Sequence, residues 1–317
     1  MRAMILAAGF GTRLWPLTID RTKPAVPFLN LPLICYSVEY LKRFGIKEIV
    51  VNLHHQGDSV RQSLGTGEKF GVKIFYSEET EILGTSGALD HARHLLENDT
   101  FVVMNGKVIT DIDLHSAIET HRNRKALATL VLKENLQREK FSNVLLDKNG
   151  NIEKFGPFPD PKDKENIPLM FTGIQILEKE IFNYIPQKQF SHSTTDVYPK
   201  AIKEGKIVAA HISQGNWYEL STLARYLDIS LEFLYKEGKT FVYGEGTTIA
   251  EGANVTNSIL WQGVNVGEGS TLHQVIVTDN VTIPANSKLE RVVVVRRDRC
   301  ETIEHGEIVG ENVIVSI

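Results

Sequence analysis

From Val242 onward, apolar residues recur at six-residue intervals: Ile249 and Val255, then Leu260, Val266 and Leu272, then Val277, Ile283, Leu289 and Val295. Gly, Ala and Asn fill the turns between them, as in Glu251-Gly252-Ala253-Asn254 and Val264-Asn265-Val266-Gly267. A period of six is the mark of a parallel β-helix, in which each coil buries one inward side chain per face. A small sandwich of alternating strands is the competing fold. The phase survives two register breaks, and that favours the β-helix. About three coils bury too little to be secure alone. They are expected to pack on the preceding domain or on another subunit, either a second copy in a homodimer or a related chain.

The chain before residue 236 follows a different rule. Met4–Ala8, Glu48–Leu53, Val72–Tyr76 and Thr100–Met104 read as strands. Between them, Ile34, Val38 and Leu41 follow Pro32 at helical spacing until Gly45, and Asp58 can cap a short helix carrying Val60 and Leu64. Thr85 or Ser86 caps a third helix through Ala88, Ala92 and Leu95. Strand–helix alternation predicts right-handed crossovers and a mainly parallel, doubly wound α/β sheet covered on both faces. Past residue 125 the pattern is mixed. Ala126–Leu132, Met170–Leu177 and Ile207–Ile212 read as strands, and Val144–Phe155 as a hairpin turning at Asn149-Gly150. Phe155–Pro168, with four prolines, reads as a loop over the pocket. Thr222–Glu237 reads as the closing helix, with Leu223, Tyr226, Leu227, Ser230, Leu231 and Leu234 on one stripe. The expected domains are therefore 1–236 and 242–317. With 317 residues and 42% hydrophobic content, both can bury a core.

Ligands of such sheets bind at the carboxyl ends of the strands, and the first strand runs into Gly9-Phe10-Gly11-Thr12-Arg13. Two glycines one residue apart let backbone N–H groups approach an anion. Thr12 adds a hydroxyl donor and Arg13 a planar fork suited to phosphate oxygens. Lys23, ten residues on, is a second cation able to return to the same pocket. Neither a P-loop nor a three-glycine dinucleotide fingerprint is present. A net charge of −4 leaves no bulk attraction to nucleic acid or to an anionic membrane, so any anion site is local. Arg291, Arg296, Arg297 and Arg299 form a basic edge without interleaved aromatics, which fits a solvated face or interface better than a nucleic-acid site. His54-His55 reads as a pair of solvated loop histidines. Cys35 and Cys300, the two cysteines, suit buried thiols of a reducing compartment. No apolar stretch approaches a signal peptide's core or a membrane span, and the expected location is the cytoplasm.

Leu6-Ala7-Ala8-Gly9-Phe10-Gly11-Thr12-Arg13-Leu14-Trp15-Pro16-Leu17-Thr18 resembles, at every defined position, the signature of the sugar-1-phosphate nucleotidylyltransferases. That family's later Pro-Lys-Pro stands here as Thr22-Lys23-Pro24. The resemblance covers residues 1–236, with a hexapeptide tail over 242–317, and is closest to mannose-1-phosphate guanylyltransferase-like proteins. It implies a Rossmann-like mixed sheet of the nucleotide-diphospho-sugar transferase type, followed by a short left-handed parallel β-helix. It also implies a reaction in which a nucleoside triphosphate (NTP) and a sugar-1-phosphate give a nucleotide-diphospho-sugar and pyrophosphate. On this likeness Arg13 and Lys23 are catalytic. Leu6, Ala7, Ala8, Gly9, Gly11, Thr12, Arg13, Gly84, Thr85 and Gly87 bind the nucleotide. Asn105, Gly106, Thr172, Gly173 and Glu79 approach the sugar, with Glu153 as another hydroxyl acceptor.

The likeness breaks at the metal. Where the family places Asn-Gly-Asp to bind Mg2+, this chain has Asn105-Gly106-Lys107, and an ammonium repels the cation. The second implied ligand is Glu219, in place of an aspartate. The family's Glu-Lys-Pro is replaced by Phe155-Gly156-Pro157. Asp111 is a substitute ligand by proximity, while Asp113 is better placed to cap the helix carrying Leu114, Ile118 and His121. Two readings stay open: a transferase whose metal is held by Glu219 and the triphosphate, or a nucleotide-binding regulatory relative with weakened turnover.

Overall fold

Buried Ala3, Met4 and Ile5 make strand β1 (Arg2–Leu6) an interior strand of a seven-stranded sheet. The structure, a computed structural model, describes residues 1–160, 162, 166–300, 303 and 305–317. The other strands of this sheet are β2 (Glu48–Leu53), β3 (Lys73–Glu78), β4 (Phe101–Asn105), β5 (Ala128–Glu134), β6 (Leu169–Leu177) and β7 (Val208–Ile212). Their order across the sheet is β7-β5-β6-β4-β1-β2-β3. β1 runs parallel to β2 and β4, β2 to β3, and β5 to β7, whereas β6 is antiparallel to both of its neighbours. The sheet is thus mainly parallel, as the strand–helix alternation predicts, and mixed and Rossmann-like, as the resemblance implies.

The helices of eight residues or more are α1 (Leu33–Arg43), α2 (Gly57–Leu64), α3 (Gly84–His91), α4 (Leu114–Arg124) and α5 (Leu223–Lys236). Ala88 and Leu89 of α3 join Met4, Val103, Leu130 and Tyr198 in one buried cluster. Alternation along a strand turns Thr129 of β5 to the opposite face. There the ring Nδ1 of His121, on α4, lies 2.9 Å from the Thr129 hydroxyl. Both faces are therefore covered by helix.

Beyond residue 240 the strands pair in parallel on three sides. Each coil advances seventeen residues, as Leu260 to Val277 to Val294 shows. Two six-residue sides and one of five explain the register breaks in the sequence. They also correct its last step: Val294, not Val295, continues the buried row. The basic edge is corrected too. Val292–Arg296 is not a free edge, because Asn312–Ser316 pairs with it antiparallel and Glu307–Val309 pairs with that strand in turn.

Other expectations shift by short distances. β1 ends at Leu6, so Ala7 and Ala8 belong to the loop. Asp58 lies inside the first turn of α2. The residue before α3 is Leu83, and neither Thr85 nor Ser86 caps the helix. Asp113 does cap α4, accepting from the His115 N–H at 3.0 Å, and Thr222 caps α5. Cys35 is buried while Cys300 is half-buried, and the two are not joined in a disulfide. Part of the 155–168 loop lies outside the described residues. No described helix is long and apolar enough to cross a membrane.

The chain forms two compact units. Met1–Gly9, Tyr36–Gly57 and Leu64–Trp217 make the first; Phe10–Cys35, Asp58–Ser63 and Tyr218–Ile317 make the second.

Candidate active site

In the first unit the carboxyl ends of β1, β2 and β3 are tied by one buried polar chain. The Ala7 N–H donates to Asn52 Oδ1 at 2.7 Å, Asn52 Nδ2 donates to Glu79 Oε1 at 2.6 Å, and the Leu83 N–H donates to Glu79 Oε2 at 3.1 Å. Asn52 and Glu79 are 3% and 5% exposed. Burial pushes the Glu79 carboxyl above its ordinary range, and the bonds from Asn52 and Leu83 pull it partly back. Glu79, implied by likeness as a sugar contact, here fixes where the β1 loop and the start of α3 sit. His54 is part of this frame rather than solvated, its Nδ1 lying 2.9 Å from the Glu79 carbonyl.

Gly84 and Gly87 open α3 against the Gln189–Ser191 backbone. A Cβ would stand 2.4 Å from the Ser191 carbonyl oxygen at Gly84 and 2.6 Å from that of Gln189 at Gly87. The Ser86 and Gly87 amides donate to the Ser191 carbonyl, and the Ser193 N–H donates to the Thr85 hydroxyl. Packing alone thus requires both glycines. Ser191 and His192 carried no signal in the sequence. Asn52 did, as the polar residue within the apolar run Ile49–Leu53.

Of the implied sugar residues, Asn105, Gly106 and Gly173 come together at the end of β4. The Gly106 N–H donates to the Leu6 carbonyl at 3.0 Å, extending the β1–β4 register. Gly173, at φ +82°, leaves no room for a side chain: a Cβ would lie 2.2 Å from Asn105 Nδ2. Thr172 turns inward, and its hydroxyl donates to the Val131 carbonyl at 2.7 Å. Its own carbonyl accepts from the Trp217 indole at 2.9 Å. Glu153 is exposed on the hairpin strand Ile152–Phe155.

The second unit carries the rest of the loop. Gly11 stands at φ +69° before the tight turn Thr12–Leu14. The amides that open such a turn have no acceptor within it. Leu14 is fully buried and holds the turn down, so Thr12 and Arg13 are exposed. The loop folds back on Lys23, to the point that a Cβ on Gly11 would lie 2.8 Å from Lys23 Cβ. Lys23 is 7% exposed, in the turn Lys23–Ala25. Gly9 differs from Gly11, Gly84, Gly87 and Gly173, because its φ is not positive and a Cβ there would meet nothing within 4 Å.

For a resident magnesium the donor set does not fit. Among the described residues no group of three or more His, Cys, Asp or Glu side chains could hold a metal ion. Asp111 is spent on Asn216, accepting from its N–H at 2.6 Å and its Nδ2 at 2.7 Å. Asp113 caps α4. Lys107, between β4 and Val108, is half-buried in the first unit, and Glu219 is buried in the second.

The Nucleotidyl transferase family matches residues 2–236, and the "GlmU-like, C-terminal hexapeptide" family matches 240–314. The UTP–glucose-1-phosphate uridylyltransferase of Synechocystis sp. is 33% identical over 239 residues, 71% of this chain. The chain spans 61% of that relative's length. The "Probable mannose-1-phosphate guanylyltransferase 3" of Oryza sativa subsp. japonica is 31% identical over 268 residues, 82% of this chain and 71% of the relative. Among solved structures, a Bacillus anthracis protein named provisionally as a glucose-1-phosphate thymidylyltransferase, in complex with a sucrose, superposes with a TM-score of 0.62. It is 27% identical and covers 73% of this chain and 95% of its own.

Proposed function

The chain belongs to the nucleotidyl transferase family, and from that premise we propose that it is a sugar-1-phosphate nucleotidylyltransferase. A phosphate oxygen of the sugar-1-phosphate attacks the α-phosphorus of a nucleoside triphosphate, the bond to the β-phosphate bridging oxygen breaks, and pyrophosphate leaves. Residues 1–236 carry the chemistry and 242–317 the β-helix. Charge on the phosphoryl oxygens is met by fixed cations and donors, so positioning and electrostatics supply the acceleration.

In the second unit Arg13, the Thr12 hydroxyl and the loop amides bind the β- and γ-phosphates. The Lys23 ammonium, held in a dry turn, neutralises the α-phosphate. In the first unit Gly84 to Gly87 are assigned to base and ribose, and Asn105, Gly106 and Gly173 to the sugar. Any magnesium is brought by the triphosphate rather than held by a carboxylate pair of the chain. The favoured pair is GTP and mannose-1-phosphate. Its support is that the guanylyltransferase-named relative aligns over 82% of the chain, against 71% for the uridylyltransferase.

The observation that carries the reading is Gly9. Neither conformation nor packing asks for glycine there, whereas the close approach of a phosphate does. Arg13→Ala and Lys23→Ala should each lower pyrophosphate release by at least about 100-fold. Melting temperatures should stay within a few degrees of wild type. Near-wild-type turnover in both would overturn the assignment.

A further inference from the structure

The segment that carries Lys23 is fastened to the β-helix. Arg21, two residues before Lys23, donates from Nη2 to Asp279 Oδ2 at 2.6 Å and from Nε to Asp20 Oδ1 at 2.8 Å. Its guanidinium carbon lies 5.0 Å from the ring centroid of Trp261, which is 1% exposed. Asp279 sits in the turn after the coil strand Ile276–Val277, and Trp261 directly follows the strand Ser258–Leu260. The side chains of Arg21 and Asp279 are only 19% and 17% exposed, so the pair is poorly screened by solvent. Trp261 also donates from Nε1 to the Tyr226 hydroxyl at 3.3 Å, and that hydroxyl bonds the Pro27 carbonyl on the far side of Lys23. Lys23 is therefore bracketed: Arg21 before it and Pro27 after it are both held by groups that meet at Trp261.

We propose that Asp279 and Trp261 of the hexapeptide tail are positioning residues for Lys23, acting through Arg21. The tail is then a working part of the transferase rather than an appended module. Resting on the reading of Lys23 above, the inference concerns geometry: a cation displaced by about 1 Å from a transferring phosphoryl group can cost about 100-fold in rate. Loosening one of several restraints should cost less.

The test uses the full chain with Asp279→Asn, Arg21→Gln and the double variant. Each single change should lower kcat about tenfold with KM within about twofold, because binding is kept and alignment is lost. The double should be no worse than about twofold below either single, as expected of one shared contact. Asp279→Glu, which keeps the charge, should recover most of the loss. Amide hydrogen exchange over residues 17–25 should rise in both single variants. If Asp279→Asn disturbs the coil, Arg21→Gln leaves the tail intact and carries the test. Single variants within about twofold of wild-type kcat, or losses that multiply in the double, would overturn the proposal. Activity surviving in Lys23→Ala would fall instead on the assignment of Lys23. The exchange of residues 17–25 would still decide whether the tail holds the segment.

Discussion

Gly9 and Gly11 are two residues apart and are glycines for different reasons. Gly11 needs a positive φ and rests on Lys23; Gly9 needs neither. Gly11→Ala should therefore destabilise the fold by about 1–3 kcal/mol as well as lowering turnover. Gly9→Ala should leave the melting temperature unchanged or slightly raised while cutting pyrophosphate release by about tenfold or more. Equal stability losses, or Gly9→Ala with full turnover, would contradict a phosphate approach at Gly9. Spacing in the sequence brought Gly11 and Lys23 into one pocket because a short loop must close on itself. It did not separate their roles, since two glycines in a string look alike until the backbone angles are known. Glu79 shows the opposite limit. The resemblance implies a sugar contact for it, and its hydrogen bonds add a second role, as a brace between Asn52 and Leu83.

At the scale of elements, α4 illustrates how a buried polar contact sets pH behaviour. His121 Nε2 lies 3.0 Å from Glu178 Oε1, Nδ1 meets Thr129, and the ring is 1% exposed. Burial holds the imidazole below its ordinary value against the raising pull of Glu178. As pH falls, the unfolded chain therefore takes up this proton first, near pH ~6.5. The stability tied to neutral His121 is present above that pH and is lost as pH falls through the depressed folded value. His121→Gln should flatten the fall in melting temperature between about pH 7.5 and about pH 5.5. His211, also depressed chiefly by burial, keeps part of the slope. An unchanged slope would remove His121 from this role. The alternation of strands and helices was legible because each element buries a periodic stripe. The cover at the start of α3 was not, because the 189–191 backbone that supplies it carries no pattern of its own. The antiparallel strand Asn312–Ser316 was missed for a related reason: it lies beyond the last hexad, and pairing partners leave no mark on a strand's own sequence.

For the whole molecule, the sequence divides near residue 240, where the apolar period changes, but the compact units cut through the signature loop. Phe10–Cys35 belongs with Tyr218–Ile317, while Gly9 stays with the sheet. A local period cannot reveal this, because the division rests on contacts such as Arg21 with Asp279, 258 residues apart. The same distribution places Arg13, Lys23 and the β-helix in one unit. It also leaves Glu219 as the carboxylate there that the resemblance assigns to metal.

The central claim is turnover, and pyrophosphate release from the purified chain measures it directly. GTP, UTP, dTTP, ATP and CTP would each be combined with mannose-, glucose- and N-acetylglucosamine-1-phosphate, with and without Mg2+. Release confined to one pairing, GTP with mannose-1-phosphate, is the predicted result. Silence across every combination, while a nucleotide or nucleotide sugar still raises the melting temperature, would contradict it and leave a nucleotide-binding protein without the transfer.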